Sequence, residues 1–225
     1  MSVWAVLAAA GHGERLGLDR PKAFAPLRGR PLAAESLERL EACESIDAIV
    51  AAAPPEWEEP VILLAEELGA GKVNAVVTGG PTRAASVRIA LAEVPADAAV
   101  VLVHDAARPL VSDDVVQRVL EPLGEGWDGA VPVLPAADAL KRVAGQQVVE
   151  TVARDGLVAV QTPQAFVFDR LREALEAADA DGLTAPDCAA LVEARGGRIK
   201  AVPGDRRLVK VTEPADLDFV ESLLE

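Results

Sequence analysis

The apolar residues of this chain come in short unbroken runs, at residues 3–7, 46–53, 73–77, 98–103 and 130–134. A strand with one wet face alternates apolar and polar residues, whereas an unbroken run implies cover on both faces. Amphipathic stretches fill the gaps. Trp57, Val61, Leu64 and Leu68 recur at helical spacing, Val115, Val116, Val119, Leu120 and Leu123 form one helical face, and Phe168, Leu171 and Leu175 form another. Helix starts are marked by Pro31, by Ser112 before two aspartates, and by Glu213-Pro214. Further helices are expected at 168–178 and 187–194, and strands near 199–202 and 208–211. The pattern predicts an α/β fold, a mainly parallel sheet covered by helices on both faces.

With 225 residues, 51% of them apolar, the chain suits a single domain spanning 1–225. Its formal charge of −14 argues against nucleic-acid binding, which draws on basic patches. No basic region precedes the first apolar run, so no signal peptide is expected. No apolar run reaches the about 18–20 residues of a membrane helix. Cys43 and Cys188 lack metal-ligand spacing and read as buried free thiols. These features together point to the cytoplasm.

Residues 136–158 break the rhythm. Segments 139–143 and 147–152 read as two strands joined by Ala144-Gly145-Gln146, with no helix between them. An isolated hairpin is marginal in water, so this one either packs on its own domain or projects as an arm into a partner.

In a parallel sheet, ligands bind beyond the carboxyl ends of the strands. The loops to search are therefore 8–22, 78–86 and 104–109. The first begins A-A-A-G-H-G-E-R and carries Arg15, Arg20 and Lys22. Residues 1–30 hold five cations against two acids in an otherwise acidic chain. Glycines let backbone N–H groups approach an anion, and cations neutralise it. The loop is neither a dinucleotide fingerprint, which needs glycine where Leu16 stands, nor a Walker A loop, which needs Gly-Lys-Ser/Thr. A bare Gly-x-Gly also serves as a plain tight turn.

The third loop opens His104-Asp105-Ala106-Ala107-Arg108-Pro109. Asp105 is placed to offer hard oxygens to Mg²⁺, which keeps most of its waters and takes other ligands from phosphates. A capping aspartate would look the same. His104 suits a packing or hydrogen-bonding role, His12 lines the loop, and two distant histidines do not make a zinc site.

Six motifs then occur in order: A-A-A-G-H-G-E-R-L-G…P-K, G-G-P-T-R-A-A-S-V (79–87), H-D-A-A-R-P, V-A-R-D-G-L (152–157), Q-T-P-Q-A-F (161–166) and V-K-V-T-E-P-A-D-L (209–217). As a set they resemble the 2-C-methyl-D-erythritol 4-phosphate cytidylyltransferases of the non-mevalonate isoprenoid pathway, over nearly the whole chain. The resemblance implies a Rossmann-like domain with a protruding β-arm at 136–158 that mediates a homodimer. It implies that Arg15 and Lys22 stabilise the triphosphate charge in the transition state, and that Gly11, His12 and Gly13 wrap it. Ala9, Ala10, Gly80 and Ser86 would line the cytosine pocket. Asp105 would hold Mg²⁺ and contact ribose or substrate, and Lys210 would meet the α-phosphate and the incoming substrate. Arg154, from the other subunit's arm, would bind the substrate phosphate near Arg108 and Thr162.

The implied reaction suits these residues. A phosphate monoester has a second pKa of about 6 and is already ionised at neutral pH, so no general base is needed. The requirement is relief of repulsion between two polyanions and in-line positioning. The chain departs from the family pattern at Asp138-Ala139, where Asp-Thr is usual, and at Pro186-Asp187-Cys188, where Thr-Asp-Asp/Glu is usual. Both departures fall toward the substrate or dimer side. The alternatives are an arm alanine with no ligand role, a helix-capping Asp187, and an Arg154 that makes only a surface ion pair. Rival functions are a ribitol-5-phosphate cytidylyltransferase, a non-catalytic nucleotide-binding protein and, more remotely, a nucleotide-sugar transferase using UTP or GTP.

Overall fold

The structure, a computed structural model, describes residues 2–11 and 13–224, with the backbone alone at Glu14. His12, expected in the phosphate loop, lies outside the described residues. Along the chain come β1 (Val3–Ala8), 3-10 turns at Glu14–Leu16 and Lys22–Phe24, β2 (Pro26–Leu27), β3 (Arg30–Pro31) and α1 (Leu32–Ala42). Then follow β4 (Ala48–Ala53), α2 (Glu58–Glu67), β5 (Val73–Thr78), α3 (Arg83–Leu91), β6 (Val100–Asp105), α4 (Asp113–Gly124) and β7 (Gly129–Pro135). The chain closes with β8 (Leu140–Ala144), β9 (Gln147–Val152), β10 (Val158–Val160), β11 (Gln164–Val167), α5 (Phe168–Asp181), α6 (Cys188–Ala194), β12 (Ile199–Pro203) and α7 (Pro214–Ser222).

The main sheet runs β10-β7-β11-β6-β1-β4-β5, with β12 paired to β7. Strands β6, β1, β4 and β5 are parallel neighbours. β11 runs antiparallel between β6 and β7, and β10 antiparallel on β7, so that half of the sheet is mixed. The unbroken apolar runs have the expected cause. Ala5, Leu7, Ile49, Ala51 and Leu102 face one buried layer with α1, α2 and α4. Val6, Val50, Ala52, Val101 and Val103 face the other, with α3, α5 and α6.

Two features differ from expectation. Residues 208–211 form no strand. Leu208 and Val211 are buried anchors that imitate a strand pattern, but the segment meets its neighbour through a single backbone bond, Val211 N–H to Ala107 O at 2.8 Å. β10 and β11 were not foreseen, because they are only three and four residues long and are separated by Gln161, Thr162 and Pro163. The hairpin is present: β8 and β9 pair antiparallel from Leu140–Val152 to Ala144–Gln147, as a sheet of their own.

After β1 the chain lays down β4 and β5 on one side, then crosses back to place β6 on the other side of β1. That reversal opens a crevice at the carboxyl ends of β1 and β6, where Ala8 and Asp105 are partners in register.

Candidate active site

The crevice is a pocket of about 780 Å³. Its floor comes from β1, where Ala9 N–H donates to Ala52 O at 3.0 Å and Ala106 N–H donates to Ala8 O at 3.1 Å. The loop above is pinned at several points. Leu16 packs with Leu27, Leu32, Leu110 and Val220 in a third apolar cluster. Leu16 N–H donates to Gly13 O at 2.8 Å, and Lys22 N–H to Gly11 O at 3.3 Å. Gly13 has φ +73° and lies against Lys22, so both the turn and the contact require glycine. Arg15 is exposed at the rim. The pKa of Lys22 is lowered to about 8, chiefly by burial, then by repulsion from Lys210 and Arg15, with Asp105 opposing. Such a lysine gains from the arrival of an anion.

The loop after β5 forms a close wall. A Cβ on Gly79 would lie 2.3 Å from the Ala10 methyl, and one on Gly80 would lie 2.7 Å from that of Ala85. Gly80 N–H donates to Ser86 Oγ at 3.1 Å, and Ser86 Oγ donates to Thr82 O at 2.9 Å. Thr82 caps α3 by accepting from Ala85 N–H at 3.1 Å. Small residues and fixed backbone groups thus shape one wall of the pocket.

Asp105, at the end of β6, is 6% exposed. Arg83 Nε donates to its Oδ1 at 2.8 Å, and Lys210 Nζ to its Oδ2 at 2.7 Å. Burial alone would raise its pKa, but Arg83 and then Lys210 outweigh that and hold the carboxyl well below the usual carboxylate range. Its backbone is fixed by a directed chain. Asp105 N–H donates to Thr162 Oγ1 at 3.0 Å, and that hydroxyl lies 3.2 Å from His104 Nδ1. His104 Nε2 lies 3.0 Å from Arg108 O. A carbonyl can only accept, so Nε2 carries the proton and Nδ1 accepts from Thr162. Burial lowers the His104 pKa to about 4, which keeps the ring neutral in this role.

Ala9, Ala10, Gly11, Gly13, Arg15, Lys22, Gly80, Ser86, Asp105 and Lys210 all line this one pocket. Arg108, Thr162 and Arg154 are not among its lining residues. Arg108 Nη1 donates to Leu208 O at 2.6 Å, which ties down the segment that carries Lys210. Arg154 is exposed on the arm side, donating to Ala137 O. Asp187 caps α6 by accepting from Ala190 N–H at 2.9 Å. Arg83 carries little mark of a role at this site in the sequence. The one signal for it was a cation directly after the Gly-Gly-Pro-Thr turn; nothing in the sequence pairs it with Asp105. Among the described residues no three His, Cys, Asp or Glu side chains cluster as a metal site, and Asp105 is the one carboxylate lining the pocket.

A sheet with its switch point at such a crevice, a glycine loop, four lining cations (Arg15, Lys22, Arg83 and Lys210) and, among the described residues, a single buried carboxylate define a nucleotide-binding α/β enzyme of the phosphoryl-group-transferring kind. The family model for 2-C-methyl-D-erythritol 4-phosphate cytidylyltransferase (IspD) matches residues 3–225, and the chain belongs to that family. It is 46% identical over 223 residues to the 2-C-methyl-D-erythritol 4-phosphate cytidylyltransferase of Frankia casuarinae, covering 99% of this chain and 81% of that one. It is 44% identical to the one from Saccharopolyspora erythraea, over the full length of both chains. The crystal structure of the Thermus thermophilus protein of that name superposes with a TM-score of 0.80 at 38% identity, covering 97% of each chain. No helix among the described residues is long and apolar enough to cross a membrane.

Proposed function

We propose that this chain transfers the cytidylyl group of CTP to 2-C-methyl-D-erythritol 4-phosphate, forming 4-diphosphocytidyl-2-C-methyl-D-erythritol and releasing pyrophosphate. The convergence of Arg15, Lys22 and Lys210 on one pocket with a small-residue wall carries this reading. An oxygen of the substrate phosphate forms a bond to the α-phosphorus, the bond from the α-phosphorus to the α–β bridging oxygen breaks, and pyrophosphate leaves with the electron pair. No proton need be removed, and among the described residues none that lines the pocket is a histidine.

The small wall formed by Ala9, Ala10, Gly80 and Ser86 receives the cytosine, and the backbone at Gly11 and Gly13 lies along the triphosphate. Arg15 and Lys22 stabilise the charge that grows toward the leaving group. One pair of unit charges about 4 Å apart is worth roughly 4 kcal/mol at an effective dielectric of about 20, against about 1 in bulk water. Lys210 meets the α-phosphate and the incoming phosphate. Arg108 and Thr162 act near the substrate side, Arg108 in part by holding the Lys210 segment in place.

A hard divalent ion such as Mg²⁺ suits the donor set once Lys210 has left Oδ2 for a phosphate: one carboxylate oxygen not held by Arg83, with the remaining ligands from phosphate oxygens and water. Asp105 would hold it, and its chemistry there is to neutralise triphosphate charge. A homodimer through the 136–158 arm is supported by apolar residues bare on the single chain, with Val143 61% exposed and Val148 56%. Such a dimer gives Arg154 a pocket to reach in the partner subunit. The free, buried thiols of Cys43 and Cys188 suit the cytoplasm, and the acidic charge suits an enzyme that does not bind nucleic acid.

The deciding experiment is a matrix of CTP, UTP, GTP and ATP against 2-C-methyl-D-erythritol 4-phosphate and ribitol 5-phosphate with Mg²⁺, scored by pyrophosphate. Release is expected only from CTP with the methylerythritol phosphate. Release from CTP without any polyol phosphate, or none with the correct pair, would refute the assignment.

A further inference from the structure

The two cations on Asp105 take separate oxygens and differ in freedom. Arg83 places Nε and Nη2 each 2.8 Å from Oδ1, while Lys210 Nζ lies 2.7 Å from Oδ2. Arg83 is the first residue of α3, directly after the cap made by Thr82. Its side chain is 26% exposed. Lys210 stands on a segment without regular structure, and its side chain is 42% exposed. One cation is built in and the other can leave.

Among the described residues, the far side of the Arg83 guanidinium meets no second anion. Its Nη1 donates to Cys188 Sγ at 3.3 Å. Cys188 is 1% exposed, and burial pushes its pKa up despite Arg83, so the sulfur is a neutral thiol. The charge of Arg83 is therefore directed at Asp105 alone.

We propose that Arg83 is a positioning residue: fixed on Oδ1, it offsets the charge of Asp105 so that Lys210 rests on Oδ2 loosely enough to pass to an incoming phosphate. This rests on reading the pocket as a cytidylyl-transfer site. Without Arg83, Asp105 would turn its whole charge on Lys210, and the repulsion between the two cations would vanish. Both changes tighten the hold on Lys210. The other charged or titratable groups around the carboxylate do not substitute for Arg83. Lys22 and Arg108 interact with it across space, and His104 behind it is neutral.

The test reads Lys210 directly in ligand-free protein, as the rate of its reductive methylation followed by peptide mass spectrometry. Asp105→Asn removes the tether and raises the rate about 10-fold, whereas Arg83→Gln lowers it about 3- to 10-fold. Arg83→Lys keeps the charge but not the fork on Oδ1, and falls between wild type and Arg83→Gln. Cys188→Asp, which gives Arg83 a second anion and draws its charge away from Asp105, lowers the rate as Arg83→Gln does and carries the test if that variant does not fold. In turnover, Arg83→Gln raises KM for the polyol phosphate and lowers kcat, and CTP affinity by calorimetry falls by less than turnover does. An unchanged or raised Lys210 rate in folded Arg83→Gln or Cys188→Asp, or an unchanged rate in Asp105→Asn, overturns the inference. So does a loss of CTP affinity as large as the loss of turnover. A wild-type protein that releases no pyrophosphate would instead refute the functional assignment, and the labelling comparison would still decide the role of Arg83.

Discussion

Gly13 lies so close to Lys22 that a Cβ on the glycine would sit 2.5 Å from the Cβ of the lysine. The glycine also holds φ +73°, where an L side chain is strained. The two residues fix each other, so the phosphate loop is shaped before any nucleotide arrives. Gly13→Ala should therefore displace Lys22. We expect kcat/KM for CTP to fall about 100-fold, because a shift of about 1 Å at a charged contact is enough to lose that much. The melting temperature should barely move, since the loop is mostly exposed. Pyrophosphate release and differential scanning calorimetry would show both.

Lys22 itself should impose an alkaline limb on CTP binding. Its pKa of about 8 means the cation is present below that pH and is lost above it. CTP affinity should hold up to about pH 8 and then decline by as much as tenfold per unit. Lys22→Arg keeps its charge and should remove the limb. Lys22→Ala should cost roughly 10²–10³ in kcat with the fold retained. Near-normal turnover in that variant would take Lys22 out of the mechanism.

His104 should make the fold acid-sensitive. Its pKa is about 4 in the folded chain against 6.5 for a free imidazole. The unfolded chain therefore takes up a proton first as pH falls, and stability drops between about pH 6.5 and 4. The fully buried ring loses its place as acceptor from Thr162 once protonated. Urea unfolding across that range should show a component of roughly 3 kcal/mol that is absent in His104→Gln. Equal pH slopes for the two proteins would remove His104 as the cause.

If the arm crosses between subunits, two dead variants should rescue each other. Lys22→Ala and Arg154→Ala, unfolded and refolded together, should recover about a quarter of wild-type activity, since half the dimers are mixed and each carries one intact site. Separate sites, each with its own Arg154, would give no recovery.

Much of the site could be read along the chain. The loop holding Gly11, Gly13, Arg15 and Lys22 and the strand-end Asp105 are marked by local chemistry, whereas the turn at Gly80 is marked only by its place after a strand and by motif resemblance. Lys210 is marked by motif resemblance rather than by its surroundings, and its segment imitates a strand because Leu208, Val209 and Val211 crowd apolar, mostly β-branched residues into four positions. Arg83 has no local signal that ties it to the site. Its partner Asp105 is 22 residues away and Lys210 lies 105 residues beyond Asp105, so no periodicity relates the three.

Hydrophobic patterning alone determined that this chain makes an α/β sheet buried on two faces, because unbroken apolar strands have no other stable setting. It also determined which loops could take an anion, since glycine and cation are local properties. Only the tertiary structure decided that one carboxylate is shared by Arg83 and Lys210, that a neutral thiol lies behind the arginine, and that Arg108 braces a backbone. Those relationships depend on the crossover that sets β6 beside β1, and long-range proximity of that kind has no trace in the order of residues.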